Sequence, residues 1–221
     1  MPNPIPAAVE AFAETVGPEG DAVLAEMDEY ADEHGFPTVG PAVGGWFQVL
    51  ATMVDAERVF EFGSGYGYSA YWFARALPAD GEIVLTEVDA DELDLAREYL
   101  DRGDFDATAH FELGDAIETI EDYDGPFDVV LIDNEKHRYR EAFEAVRGNV
   151  APGGVVLADN AVAGGTIDAA DVRRLLDGED ADATDMSRGI ADYLKAVREA
   201  PGFETTLLPV GEGVAVSLRT G

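Results

Sequence analysis

A glycine-rich turn constrains this chain more than any other segment. Arg58 to Phe62 reads as a short buried strand, and Tyr66 to Leu77 as a helix stopped by Pro78. Between them runs Glu61-Phe62-Gly63-Ser64-Gly65-Tyr66-Gly67-Tyr68-Ser69. Glycines let a backbone turn sharply and approach a ligand, whose polar groups then meet a helix N-terminus. Such a turn by itself also serves close packing. With a strand before it, a helix after it and an acid, Glu87, ending the next strand, it points to a nucleoside-containing cofactor.

The rest of the chain supplies the matching pattern. Up to about Asp55 it reads helical, with Ala7 to Val16 and Asp21 to His34 interrupted by Gly17-Pro18, then an apolar run from Val43 to Val54. Strands are expected at Glu82 to Val88, Ala107 to Leu113, Phe127 to Ile132 and Gly154 to Ala158. The Phe127 run is almost continuously apolar, as a strand covered on both faces should be. Helices are expected after the capping box Asp89-Ala90-Asp91-Glu92, with Leu93, Ala96 and Leu100 on one face, and at Gly114 to Ile120, Arg138 to Asn149 and Ile190 to Ala200. Asp180 to Asp185 reads as a mobile acidic loop. Phe203 to Val210 and Val214 to Arg219 flank Gly211-Glu212-Gly213 as a hairpin. The expected fold is α/β and Rossmann-like: a mostly parallel seven-stranded sheet with a C-terminal antiparallel hairpin and helices on both faces. No repeat or linker is visible, so residues 1–221 read as one domain, a helical cap (1–55) before the core (56–221).

Charge speaks mainly about solvent. The 221 residues carry 14 Lys and Arg against 46 Asp and Glu, a net charge of −32 spread along the chain. Such a field repels itself, nucleic acid and anionic membranes in dilute salt. It is screened in concentrated salt, where the Debye length falls to about 3 Å. The composition resembles that of haloarchaeal proteins. An RNA substrate stays open, because RNA-binding enzymes of halophiles are acidic too. The absence of cysteine removes disulfides, thiolate metal sites and cysteine nucleophiles. No run reaches about 18 apolar residues, and Met1-Pro2-Asn3-Pro4-Ile5-Pro6 has neither a basic flank nor a long apolar run. The expectation is a cytoplasmic protein without a membrane partner.

Three clusters carry chemistry. Glu61 stands immediately before the turn, where a carboxylate would repel a pyrophosphate and suits a cation such as the ammonium of S-adenosylmethionine (SAM). That disfavours an NAD(P)-dependent oxidoreductase, and the lack of a lysine after the turn disfavours an NTPase. Glu87 is placed to accept ribose hydroxyls. Asp133-Asn134-Glu135-Lys136 and Asp159-Asn160 each follow a strand, at the sheet edge where ligands bind. Two aspartates and an asparagine are hard oxygen ligands suited to Mg²⁺, and the same residues serve equally as helix caps. Lys136, one of only two lysines beside Lys195, is a candidate general base, since lysine loses its proton readily near a cation or on burial. His34, His110 and His137 lack metal-ligand spacing. Trp46, Trp72, Tyr66 and Tyr68 are candidates to stack on an aromatic substrate, with core packing the better reading for Trp72 inside its helix.

From about Phe36 to Arg219 the chain resembles the cation-dependent O-methyltransferases of the catechol and caffeoyl-CoA type. Glu61-Phe62-Gly63 with Gly67-Tyr68-Ser69, Leu85-Thr86-Glu87-Val88-Asp89, Gly114-Asp115-Ala116, Asp133-Asn134-Glu135-Lys136 with Tyr139, Gly153-Gly154, Asp159-Asn160 and Leu207 to Gly213 carry the resemblance. It implies a divalent metal, Mg²⁺ by preference, on Asp133, Asp159 and Asn160, with Lys136 as general base beside Asp133. It implies that Glu61, Gly63, Ser64, Gly67 and Ser69 surround the methionine end of SAM under Val39. Glu87 would take the ribose and Asp115-Ala116 the adenine side, with Glu135 in reach of the cofactor. The activity implied is methyl transfer to a hydroxyl of a catechol-like or vicinal-diol small molecule. Alternatives are a tRNA hydroxyuridine O-methyltransferase and a non-catalytic SAM-binding module. Relatives are often homodimers, and the apolar N-terminal helices offer an interface. The chain departs from plant members in the small segment Ala161-Val162-Ala163-Gly164-Gly165 and in Asn134, where relatives carry histidine or alanine.

Overall fold

The computed structural model describes residues 4–179 and 182–221. Asp180 and Ala181 of the expected acidic loop lie outside the described residues. The chain opens with three helices, α1 (Ala7–Val16), α2 (Ala22–His34) and α3 (Gly40–Met53). It continues as β1 (Arg58–Phe62), α4 (Tyr68–Ala74), β2 (Glu82–Glu87), α5 (Ala90–Gly103), β3 (Thr108–Leu113), α6 (Ala116–Thr119) and β4 (Phe127–Ile132). Then follow α7 (Tyr139–Val146), β5 (Val150–Ala158), α8 (Ala169–Leu176), α9 (Asp185–Glu199), β6 (Phe203–Leu208) and β7 (Val214–Arg219).

The described strands form one seven-stranded sheet in the order β3-β2-β1-β4-β5-β7-β6. The first five run parallel; β7 is antiparallel to β5 and to β6. This is the expected Rossmann-like, mixed sheet. Period-2 alternation divides its side chains between two cores. Val59, Ile83, Leu85, Val129, Leu131, Val155 and Leu157 face the layer that contains α2, α3, α4 and α5. Phe60, Phe62, Val84, Val130, Ile132 and Val156 face the layer of α7, α8 and α9. By the same alternation Glu61 points with Val59 into the first, apolar layer.

Several boundaries differ from those expected. The helix after the turn starts at Tyr68, not Tyr66, because Gly67 adopts φ 86°, which no right-handed helix accommodates. It ends at Ala74, short of Leu77. The Arg138 to Asn149 segment divides into a 3₁₀ turn at Lys136–Arg138, α7, and a second 3₁₀ turn at Arg147–Asn149. The last long helix begins at Asp185, five residues earlier than Ile190, because the Thr184 hydroxyl accepts from Ser187 N and caps it. Asp185 therefore belongs to a helix rather than to the acidic loop. Helix α8 was not anticipated; Asp168 caps it through Ala170 N and Asp171 N. Trp72 is fully buried and serves the core. No described helix is long and apolar enough to cross a membrane.

Candidate active site

Strand order reverses between β1 and β4, and the parallel strands all end on the same side of the sheet. Ligands of open α/β sheets bind in the crevice such a reversal leaves. Here a cavity of about 650 Å³ opens at that edge. Its wall includes Val39, Gly63, Ser64, Ser69, Glu87, Asp115, Ala116, Asp133, Glu135, Lys136, Asp159 and Asn160. The topology thus gathers these candidate residues from loops spread over more than half the chain.

Two of the expected cofactor residues do not line it. Gly67 lies behind the turn, where an added Cβ would meet Ala96 Cβ at 2.8 Å. Its role is packing of the turn onto α5. Glu61 is fully buried, and neither carboxylate oxygen has a hydrogen-bond partner among the described residues. Burial pushes its pKa up to about 8; Ser69 beside it lowers the value in part, and Asp133 raises it. Ser69 does line the cavity.

That burial has a consequence for stability. The unfolded chain releases the Glu61 proton near 4.5, the folded chain near 8. A folded-state pKa above the unfolded value means that the group's stabilising contribution is present at low pH and falls as pH rises through this window. Glu61→Gln cannot lose a proton. The melting temperature of the ligand-free variant, relative to wild type, should therefore rise between about pH 5 and about pH 8.5. A difference that stays flat across the window would refute the assignment.

The turn itself is held by backbone bonds. Ser64 N donates to Thr86 O at 3.0 Å and Gly67 N to Ser64 O at 2.9 Å. Gly63 has φ 82°, and a Cβ there would stand 2.9 Å from Asp133 O, so only glycine lets the turn press against the β4 loop. Glu87 is fixed at the end of β2. It accepts from Gly65 N at 2.9 Å, Val88 N at 2.7 Å and Asp89 N at 3.1 Å. A carboxylate has about four acceptor positions, so taking both hydroxyls of a ribose requires one of these bonds to yield. Asp115 caps α6 through Ile117 N at 2.9 Å and also receives Arg138 Nη1 at 2.6 Å. The guanidinium holds the Asp115 pKa below the usual carboxylate range.

The far end of the cavity is a charged cluster. Lys136 Nζ donates to Asp133 Oδ1 at 2.7 Å and to the Tyr139 hydroxyl at 2.8 Å. Tyr139 donates in turn to Asp133 Oδ1 at 3.1 Å, and its ring lies 4.9 Å beneath the ammonium. The 3₁₀ turn and the start of α7 close this triangle, since residues three apart share a face there. Asp159 is 4% exposed and its Oδ1 has no partner among the described residues. Burial raises its pKa, the nearby Asp133 raises it further, and Lys136 opposes both. Asn134 also lines the cavity, with a buried, unpartnered Oδ1. No group of three His, Cys, Asp or Glu side chains with metal-holding geometry occurs among the described residues. The candidate set is two aspartates and an amide.

Some wall residues escaped the sequence reading. Glu212 reaches the cavity from the β6–β7 turn, alongside Gly164, Gly165 and Met186. The antiparallel register sets Ala215 opposite Ala158, which brings that turn to the carboxyl end of β5. Arg138, Glu92 and Phe36 line other parts. Trp46 stands on the outer face of α3, away from the wall. Tyr66 and Tyr68 line the cavity but are almost wholly buried, which leaves little ring surface for stacking.

The O-methyltransferase family model matches residues 16–220. The chain belongs to the O-methyltransferase family. It is 33% identical over 162 residues to a catechol O-methyltransferase from Niastella koreensis, covering 71% of this chain and 73% of that protein. It is similar to the O-methyltransferase from Bacillus cereus solved in complex with SAH, with a TM-score of 0.81, 25% identity and 96% and 97% of the two chains covered. The O-methyltransferase TomG from Streptomyces achromogenes, solved with SAM, matches with a TM-score of 0.81 and 25% identity over 97% and 96% of the chains. This O-methyltransferase is SAM-dependent.

Proposed function

We propose that this O-methyltransferase moves a methyl group from SAM to a hydroxyl of a catechol-like or vicinal-diol small molecule, with divalent-metal assistance. The carrying observation is the juxtaposition of Lys136 with Asp133, Asp159 and Asn160 in the same cavity that Glu87 and Asp115 line. The catechol O-methyltransferase from Niastella koreensis supports the acceptor class.

The residues suit a hard divalent cation. Asp133 and Asp159 are close enough to raise the pKa of Asp159, whose Oδ1 is buried without a partner, and a cation would relieve both. Asp133, Asp159 and Asn160 would hold it. Bound there, it would supply positive charge that makes an acceptor hydroxyl more acidic.

SAM is held in this reading by the turn. Ser64 and Ser69 face its methionine end under Val39, with the buried Glu61 carboxyl behind Ser69, Glu87 at the ribose, Asp115 and Ala116 at the adenine side, and Glu135 at the rim. Lys136 takes the acceptor proton. A neutral amine keeps two N–H groups, enough for its bonds to Asp133 and Tyr139, and one lone pair for that proton. The acceptor oxygen then attacks the sulfonium methyl, and the electrons of the broken C–S bond stay on sulfur, leaving S-adenosylhomocysteine. Alignment of the two partners within one cavity supplies much of the rate.

The test is mass spectrometry of a catechol and diol panel incubated with the protein and SAM in concentrated KCl, with Mg²⁺ or with EDTA. Methylated product that depends on Mg²⁺ is the expected result. Product that persists in EDTA would remove the metal from the reading. No product despite SAM binding in the same buffer would overturn the acceptor class in favour of tRNA or of a binding role.

A further inference from the structure

We infer that Glu212, at the tip of the β6–β7 turn, is a positioning residue for the metal site: it fixes which end of the Asn160 amide faces the cavity. The inference rests on the metal reading given above. An asparagine can bind a cation only through its oxygen, yet its two ends are nearly the same shape. Something must choose between them. Asn160 Nδ2 donates to Glu212 Oε2. An ionised carboxylate only accepts, so the amide nitrogen is the end it selects. That leaves Asn160 Oδ1 without a partner among the described residues and available to a cation.

The surroundings are built around this pair. Asn160 sits at φ 56°, a left-handed conformation that costs a non-glycine residue energy and needs outside support. The support comes from the same turn: Ala161 N donates to Gly213 O at 2.8 Å, and Val162 N and Ala163 N donate to Glu212 O at 3.0 and 2.9 Å. Gly164 leaves the space. A Cβ there would stand 2.4 Å from Glu212 Oε2 and 2.7 Å from Asn160 Nδ2. The small segment after Asn160 thereby acquires a physical role, which is room for a carboxylate against the amide. Partners that orient a metal ligand from behind typically change affinity by about 10–100-fold when removed.

Mn²⁺ binding to the full chain, followed by the electron paramagnetic resonance of free Mn²⁺, tests this without reference to turnover. Wild type should bind, Asp159→Asn should not, and Glu212→Ala should bind about 10–100-fold more weakly. Glu212→Gln, whose amide donates as readily as it accepts, no longer chooses the Asn160 end and should bind about as weakly as Glu212→Ala. Unchanged affinity in Glu212→Ala overturns the inference. So does a Glu212→Gln variant that binds as tightly as wild type, since an acceptor-only group would then not be what selects the amide end. A second background keeps the question decidable if Glu212→Ala folds poorly. Aspartate has no wrong end, so in Asn160→Asp the further change Glu212→Ala should not weaken Mn²⁺ binding, and equal weakening in both backgrounds refutes orientation. Absence of Mn²⁺ binding by wild type would instead remove the metal reading itself. SAM affinity, measured on every variant, reports whether the rest of the cavity is intact.

Discussion

Lys136→Ala should lower kcat by about 10²–10⁴, the usual contribution of a positioned general base, and leave SAM affinity close to wild type. The separation of the two effects follows from position. Lys136 bonds to Asp133 and Tyr139, and among the described residues it makes no hydrogen bond to the glycine turn or to Glu87. Alanine alone would not distinguish a base from a counter-charge, because it also strips Asp133 of its ammonium. Lys136→Arg makes the distinction. Arginine keeps the positive charge beside Asp133 but cannot release a proton in a protein. It should be as slow as alanine in single-turnover methyl transfer. Restored turnover in the arginine variant would make Lys136 an electrostatic residue and end its candidacy as base. SAM affinity, measured by calorimetry in the same concentrated salt, should stay level across all three proteins.

Asp159→Asn should separate function from stability in opposite directions. Turnover should fall by about 10²-fold or more, since the charge stabilisation a metal contributes amounts to several kcal/mol. Without metal, however, the variant should melt higher than wild type above pH 6. The wild-type carboxylate is buried, faces Asp133 and Glu212, and has its pKa raised by all three circumstances. A folded-state pKa above the unfolded one means that this group costs stability as pH rises, and a neutral amide avoids that cost. Adding Mg²⁺ reverses the ranking. A ligand at 100 times its Kd stabilises by about 2.7 kcal/mol, worth about 2–4 °C per kcal/mol in a chain of this size. Wild type should gain several degrees and Asp159→Asn none. Thermal melts at two pH values, with Mg²⁺ and with EDTA, read both effects. A variant that gains as much from Mg²⁺ as wild type would exclude Asp159 as a ligand.

The two aspartates show why a site of this kind is visible in sequence at all. Asp133 and Asp159 each stand one residue past a strand whose apolar run is unmistakable. In a parallel sheet all such positions come to one edge, whatever lies between them in the chain. Strand ends therefore predict a shared cavity without any knowledge of tertiary contacts. Glycine positions are legible for a similar reason, since a turn with φ 82° at Gly63 and 86° at Gly67 excludes nearly every other residue. The burial pattern of β1 and β4 and the caps at Asp21 and Asp89 likewise follow from local chemistry.

Other features depended on the packed chain. Glu61 was legible as an acid before the turn, but its placement behind the cavity wall follows from strand alternation seen against a filled core. Helix α8 has a clear cap in Asp168, yet its short apolar stripe gains meaning only against α9. Glu212 reads in sequence as a turn residue between two glycines. Its approach to Asn160, 52 positions earlier, is created by antiparallel pairing of β7 with β5, and no local periodicity encodes which strand a hairpin joins. Sequence alone determined the fold class, the turn and the strand-end acids, because backbone conformation and burial periodicity act over a few residues. Tertiary structure decided which carboxylates face one another and which amide end is free, because those contacts join segments that only the completed sheet brings together.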